Sequence, residues 1–455
     1  MVPSQASLSN FSKKLKKAVD SGAKMVDLQF VDIFGNLKFE SVTIDEFKDV
    51  KVFEDGVKID GSSIYGYGVP VEESDLLIIP DPDTFSPVPW TEDVWRAICN
   101  VYYPKKSGTG YEPFEGDSRN CLSRMLERIP SVLSEKMDTE GREFRFYVAP
   151  ELEFFLLESC EGIYTRIDDK GYFDAPPSHG RSLLGKIMEA MGMMGIRYEA
   201  YHKEVAPGQY EVDFRYGRAV RIADATITIK DIIKQYASKD EMVSTFMPKP
   251  FEGMNGSGMH THQNLAMVED GQKVNLFYDG EKEGLSEIAL NYIGGLLTHA
   301  RSITALTNPT SNSYKRLIPG WEAPVNIAWG RKNRTALIRV PYGEPTSARI
   351  EYRSPDPSAN AYLAFTAMLA AGLDGIEKGM DPGKATESDL YKPGSKTEFL
   401  PGSMTEALDE LESDRVITDA IGRQIMGNFL KIKREEAELY NSRPSNIDFD
   451  MYLDV

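Results

Sequence analysis

The chain has 455 residues, 41% apolar and 27% charged, which is long enough for more than one domain and for large buried cores. Its 52 Lys and Arg against 70 Asp and Glu leave a net charge of −18. That balance argues against general binding to nucleic acid or to an anionic membrane, and any anionic ligand must be met by arginines gathered locally.

Three cysteines in no metal-binding spacing (Cys99, Cys121, Cys160) read as free thiols of a reducing compartment. No apolar run is long enough to span a membrane. The first residues lack a signal-peptide core. Instead Phe11, Leu15, Ala18 and Val19 recur at helical spacing among Lys13, Lys14, Lys16 and Lys17, the pattern of an amphipathic surface helix. The expected location is the cytoplasm.

Strand-like runs follow over 24–44, with a Gly35-Asn36 turn between them. The stretch 60–70, "DGSSIYGYGVP", has no apolar period and reads as a loop; 94–104 reads as a strand. Residues 105–120 are rich in Gly, Pro and charge, which places a domain boundary near 112, giving domains 1–112 and 113–455. A helix starts with "SRNCLSRMLERI". Strands are expected over 145–157, 208–216, 257–265 and 335–353, and helices over 182–194, 220–237, 286–305 and 360–379. From Met404 to Tyr440 the pattern is helical throughout. The fold class is α+β, a small N-terminal domain followed by a large catalytic one.

Five constellations carry chemistry. In "FYVAPELEFFLLE" (146–158), alternation puts Glu151 and Glu153 on one strand face, about 7 Å apart. Two unpaired buried carboxylates would cost several kcal/mol each, so a hard divalent cation is the natural companion; a strand end reaching solvent is the plainer reading. In "YEAYHKEVAPGQYEVDF" (198–214), Glu204 precedes and Glu211 follows a Pro-Gly turn, and Glu199 lies upstream; a solvated hairpin is the alternative. In "MNGSGMHTHQNL" (254–265), His260 and His262 face one side of a strand, fit for a metal or a phosphate, or for a structural role. In "SARIEYRSPDP" (347–357), Arg349, Glu351 and Arg353 alternate on one face, as either a surface ladder or a seat for a metal beside an anion. Finally, 312–341 supplies Arg316, Arg334 and Arg339, whose forks match carboxylate and phosphate, and a Pro/Gly-punctuated loop presenting Glu322. One explanation covers all five: a phosphoryl-transfer site with metals held by glutamates and a histidine.

On these residues the chain resembles glutamine synthetase of the bacterial and archaeal type I class, in its non-adenylylated, alpha-like branch. "NGSGMH" (255–260), "NPTSNSYKRLIPGWEAP" (308–324) and "RIEYRSPDP" (349–357) are long, specific matches, and the resemblance runs over nearly the whole chain. It implies an N-terminal β-grasp-like domain and a catalytic half-barrel. It implies two or three Mg2+ (or Mn2+) per site. Glu151, His260 and Glu351 would hold the metal at the nucleotide phosphates, and Glu153, Glu204 and Glu211 the metal nearer glutamate. Glu199, Tyr216, His262, Asn264, Arg334 and Arg339 would serve ATP. Asn255, Gly256, Arg316, Glu322, Arg334 and Arg353 would serve glutamate. Asp60, Glu322 and Arg334 would be catalytic, Asp60 and Glu322 handling the ammonium proton.

The implied reaction joins ammonia to glutamate through γ-glutamyl phosphate, releasing ADP and phosphate. The implied assembly is a dodecamer of two hexameric rings in which Asp60 reaches a neighbour's site. A nitrogen-regulatory protein remains open as a partner. The chain departs from the pattern at His202-Lys203-Glu204, at "APELEFF" and at Asn264, which touches nucleotide contacts rather than the metals. A γ-glutamyl ligase for a larger amine would alter Asp60 or Glu322, and a non-catalytic relative would lose metal ligands; both sets are intact. Tyr391 keeps the position of a modifiable tyrosine but not its surroundings, and no arginine follows "DGSS" closely. Neither adenylylation nor strong glutamine inhibition is therefore expected.

Overall fold

In a computed structural model, residues 4–455 are described apart from 49–50, 106–109, 140, 270, 281–283, 342 and 393–396. Helix Gln5–Asp20 starts where the Ser4 hydroxyl accepts from the Ser7 amide, and it buries Phe11 and Ala18. The Phe11 ring meets Phe47, Phe53 and Phe85 at centroid distances of 6.0, 4.8 and 5.1 Å, forming an aromatic core. The first sheet runs Leu37–Thr43, Met25–Val31, Val94–Pro104, Asp75–Pro80, Val57–Asp60. Met25–Val31 pairs antiparallel with its hairpin partner and parallel with Val94–Pro104, the long apolar strand at the centre. Gly35 closes that hairpin with φ +80°, a conformation glycine adopts without strain. Of the expected linker, 106–109 lie outside the described residues.

Two further sheets build the second region. One runs Gly217–Arg218, Glu143–Pro150, Thr261–Glu269, Ile350–Tyr352, Ile338–Val340, Trp329–Arg331; the other runs Ile163–Arg166, Leu152–Cys160, Gln209–Phe214, Tyr198–Lys203. The single strand expected over 145–157 is therefore two strands, broken at Glu151, where the chain passes between sheets. Glu143–Pro150 alternates buried and half-buried, whereas Leu152–Leu157 is buried without interruption. Other expected elements divide as well. Residues 255–260 are irregular and the strand starts at Thr261; 335–353 holds two short strands. The 286–305 helix breaks at His299 into Glu287–Thr298 and Ala300–Thr307. The C-terminal helical stretch breaks at Asp414, whose carboxylate caps Arg415–Ile421, and at Gly422 with φ +94°.

Helix Ala361–Lys378 is the spine: every residue from Ala361 to Ile376 is buried. It lies against Glu287–Thr298 so closely that a Cβ on Gly295 would stand 2.0 Å from the Ala371 carbonyl oxygen. Arg119 joins the two regions, bonding Asp224 at 2.9 Å and Asp81 at 2.7 Å from a buried position. Asn360 adds a bond to the Ile33 carbonyl at 3.2 Å. All three cysteines are free. Among the described residues no helix is long and apolar enough to cross a membrane.

Candidate active site

The break at Glu151 turns its carboxylate toward two histidines. Oε2 lies 2.9 Å from His260 Nδ1 and Oε1 lies 3.0 Å from His262 Nε2. Glu351 sits across the sheet from His262, fully buried, with Arg339 at 2.5 Å and Arg353 in contact. Ligand atoms of Glu151, His260 and Glu351 all fall within 4.8 Å of one another. Burial and the Arg353 charge pull His260 down to about 4, so its ring is neutral at pH 7. Arg316 Nη2, which can only donate, lies 3.5 Å from His260 Nε2. Nε2 is therefore the ring's acceptor, and Nδ1 carries its proton toward Glu151. That leaves Glu151 ionised: burial opposes its charge, but the two histidine hydrogen bonds prevail.

A second group forms on the hairpin Tyr198–Lys203/Gln209–Phe214. Gly208, with φ +77°, shapes the turn, and Glu204 N donates to the Gln209 carbonyl at 3.0 Å. Alternation along the strand buries Lys203 and puts His202 and Glu204, both half-buried, on the opposite side. Ligand atoms of His202, Glu204 and Glu211 lie within 4.8 Å of one another, with His202 Nε2 3.2 Å from Glu211. His202 departs from the family pattern in sequence, yet its i, i+2 spacing from Glu204 is the signal that places it here. Glu153 faces Glu211 directly across the strands and accepts from Gly258 N and Gln209 Nε2, both at 2.9 Å. Gln209 had no sequence signal, since its role is set by the fold of the turn.

These carboxylates are too many for the cations around them. Burial pushes Glu153 up to about 7. Burial and then the Glu153 charge push Glu204 up to about 8. Burial and the charges of Glu151 and Glu153 push Glu211 well above the usual range. Burial and Glu151 raise Asp213. Glu351, like Glu151, is drawn down, because Arg353 and His262 outweigh its burial. A divalent cation in each group would reverse that repulsion. The donor set of carboxylate oxygens plus one imidazole per group suits Mg2+ or Mn2+. The backbone leaves room: a Cβ on Gly258 would stand 2.7 Å from Arg316 Nη2 and 3.0 Å from both Glu153 Oε1 and His260 Nε2. Buried His262 Nδ1, Asn264 Oδ1, Arg339 Nε and Arg353 Nε also have no hydrogen-bond partner among the described residues. The residues fit the metals.

Beside the cations' place lies an arginine wall. Arg316 is buried and donates to the Ser354 carbonyl at 2.6 Å; Arg353 is buried on Glu351. Gly256 passes the Pro248 carbonyl so closely that a Cβ would stand 2.0 Å from its oxygen. Asn255 Nδ2 holds Glu322 Oε2 at 2.6 Å. Glu322 itself has φ +57°, the left-handed region that a non-glycine residue enters at a cost, in a loop also bearing Gly320 at φ +93°. Tyr391 turns its hydroxyl into a buried position with no hydrogen-bond partner among the described residues, within the fields of Arg353, Glu322 and Arg316. Arg334 is exposed; the charges felt by Tyr172 include Glu204, Arg334 and Glu322, which puts Arg334 at the rim.

On the other side of Glu151 a cavity of about 410 Å3 is lined by Glu199, Tyr216, His262, Asn264, Lys273 and Arg349, among others. Four of the residues expected to serve a nucleotide thus share one cavity, while Arg334 and Arg339 lie outside its lining. Lys273 was not legible in sequence. Its Nζ lies 4.4 Å from the Tyr216 ring centroid and 4.8 Å from that of Tyr147, and 3.0 Å from the Tyr216 hydroxyl. Asp60 belongs to neither cluster within the chain. It ends strand Val57–Asp60, exposed, bonded to Ser62 N at 2.9 Å and to the Ser62 and Ser63 hydroxyls at 2.6 and 2.7 Å.

Residues 115–452 match the family model of the glutamine synthetase catalytic domain, and residues 22–104 that of the glutamine synthetase β-Grasp domain. The chain is 43% identical to glutamine synthetase of Methanocaldococcus jannaschii, over 98% of each chain. It is 44% identical to that of Thermotoga maritima over 95% of this chain and 97% of the other. A solved structure titled as a GmaS/ADP complex superposes with a TM-score of 0.85 at 30% identity, covering 97% of this chain and 99% of that one.

Proposed function

The chain belongs to the glutamine synthetase family, and from that premise we propose that the site above forms glutamine from glutamate and ammonia at the expense of ATP, through γ-glutamyl phosphate. The observation that carries this reading is the convergence of two carboxylate–histidine groups on an arginine wall, with a nucleotide-sized cavity behind one of them. ATP enters beside Glu199 and Tyr216, an assignment supported by the similar structure's being an ADP complex. His262, Asn264, Lys273 and Arg339 receive its phosphates, and Arg334 closes from the rim. Glutamate binds with its α-carboxylate on Arg316 or Arg353 and its amino end toward Asn255 and Gly256.

Mg2+ or Mn2+ held by Glu151, His260 and Glu351, and by Glu153, Glu204, Glu211 and His202, would screen the phosphate charge during transfer. The γ-carboxylate attacks the γ-phosphate, and the arginines stabilise the charge that spreads over the phosphoryl oxygens. Glu322, held by Asn255, excludes water from the acyl phosphate and takes a proton from ammonium. Asp60 serves a neighbouring copy, since its place at the end of an N-terminal strand keeps it off its own chain's clusters. A dodecamer of two rings in the cytoplasm is the assembly we propose. The buried Tyr391 hydroxyl supports the expectation that this tyrosine is not adenylylated.

The test is ADP release with glutamate and either ammonium or a panel of amines. Turnover requiring ammonium supports the reading. Faster turnover with methylamine or a polyamine would redirect it to another γ-glutamyl ligase.

A further inference from the structure

A second recess lies apart from the cavity just described. It has a volume of about 640 Å3 and opens where the Gly35 hairpin meets helix Ala219–Lys239. Two lysines of that helix, one turn apart, face into it. Lys230 Nζ lies 5.5 Å and Lys234 Nζ 5.9 Å from the centroid of the same Phe246 ring. Neither has a carboxylate within ion-pair distance among the described residues; Lys230 donates only to the Pro357 carbonyl, at 2.7 Å. Asp231, the carboxylate in the lining, accepts from Gln235 at 3.2 Å and pairs with neither lysine. Lys433, also in the lining, is neutralised by Glu436 at 2.6 Å.

Two like charges thus stand over one ring in a protein whose net charge is −18. Burial and the Lys234 charge lower Lys230 to about 8, outweighing the opposing pull of Asp356. The Ser244 hydroxyl on the same wall is buried with no hydrogen-bond partner among the described residues. Among polar residues such as Asn36, Thr245 and Asn312, the wall also offers aromatic faces: Phe246, and Phe34 with Phe429 at a ring separation of 6.2 Å.

We propose that this recess binds a small organic anion with a flat apolar body, its charged group between Lys230 and Lys234 and its body among the three phenylalanines. Two ammonium groups would meet the charge and Ser244 would donate to a further oxygen. The aromatic walls would desolvate the body.

Phenyl phosphate is a suitable probe, being neither substrate nor product. Calorimetric titration of the whole protein, with Mg2+ and saturating ADP filling the nucleotide cavity, should show one phenyl phosphate per chain. The affinity should fall with added salt. Lys234→Met, on the exposed side of the helix, should weaken it at least tenfold while leaving the ligase rate unchanged. Lys230→Met should do the same, and uncharged benzyl alcohol should not bind. Absence of binding at millimolar phenyl phosphate, or equal affinity in wild type and Lys234→Met, would overturn the proposal.

Discussion

Protons and metal compete for the carboxylates of the second group, and the pH dependence of that competition can be worked out. Without metal, Glu153 holds its proton to about 7 and Glu204 to about 8, against an ordinary glutamate value of 4.5. In the unfolded chain both ionise near 4.5, so above that pH the metal-free fold binds more protons than the unfolded chain. Its stability therefore falls as pH rises from about 5 to about 8. For Glu153 alone, the rise from 4.5 to about 7 is worth roughly 3 kcal/mol. Metal needs the ionised form. At pH 6 a carboxyl titrating near 7 is ionised in about one molecule in eleven, and at pH 8 in about ten of eleven, a tenfold gain in apparent affinity. The Glu204 proton adds up to about fiftyfold over the same interval. Mn2+ binding followed by electron paramagnetic resonance should thus tighten by between ten- and several-hundredfold from pH 6 to pH 8. Melting curves with and without Mg2+ should diverge over the same range. Glu153→Gln should flatten both trends by about the tenfold share of one carboxyl. An affinity constant across that range, with metal-free stability rising toward pH 8, would refute the reasoning.

Three further outcomes follow from the geometry. Arg316→Ala and Arg353→Ala should raise the KM for glutamate at least tenfold more than that for ATP, because both guanidinium groups lie on the wall away from the nucleotide cavity; steady-state kinetics in each substrate checks this. Asp60→Ala should retain ATP and glutamate binding but lose ammonia-dependent turnover, and mixing it with an inactive Glu322→Ala chain should restore part of the activity. No restoration in mixed assemblies, or full activity in a monomer, would contradict sharing between copies. Glutamine should inhibit only weakly, and intact mass should show no AMP gain after treatment with an adenylyltransferase, given the buried Tyr391 hydroxyl.

Much of the site is legible in the sequence because its ligands sit in long local motifs. Alternation finds Glu204 and Glu211 from their places around a turn, and it would also have found His202. It misleads at Glu151 and Glu153. The apolar pattern runs unbroken through 146–157, and nothing local announces that the chain changes sheets at Glu151. The break matters, since it lets one carboxylate serve the His260 side and the other the hairpin side. Gln209 and Lys273 were silent for another reason: each gains its role from a partner more than 50 residues away, Glu153 in one case and Tyr216 in the other. Helix boundaries failed where one side chain decides them, as at Asp414, or where the chain must turn, as at Gly422. The spine helix Ala361–Lys378 was plain, because a long run rich in Ala, Leu and Met favours helix whatever lies around it.

In the proposed reaction, glutamate is activated by phosphorylation of its own side chain before ammonia attacks. Glutamate labelled with 18O in the γ-carboxylate, incubated with ATP, Mg2+ and ammonium, tests this directly. The account predicts one labelled oxygen in each phosphate released and an unlabelled ADP, in step with glutamine formed. Phosphate free of label while glutamine accumulates would contradict it.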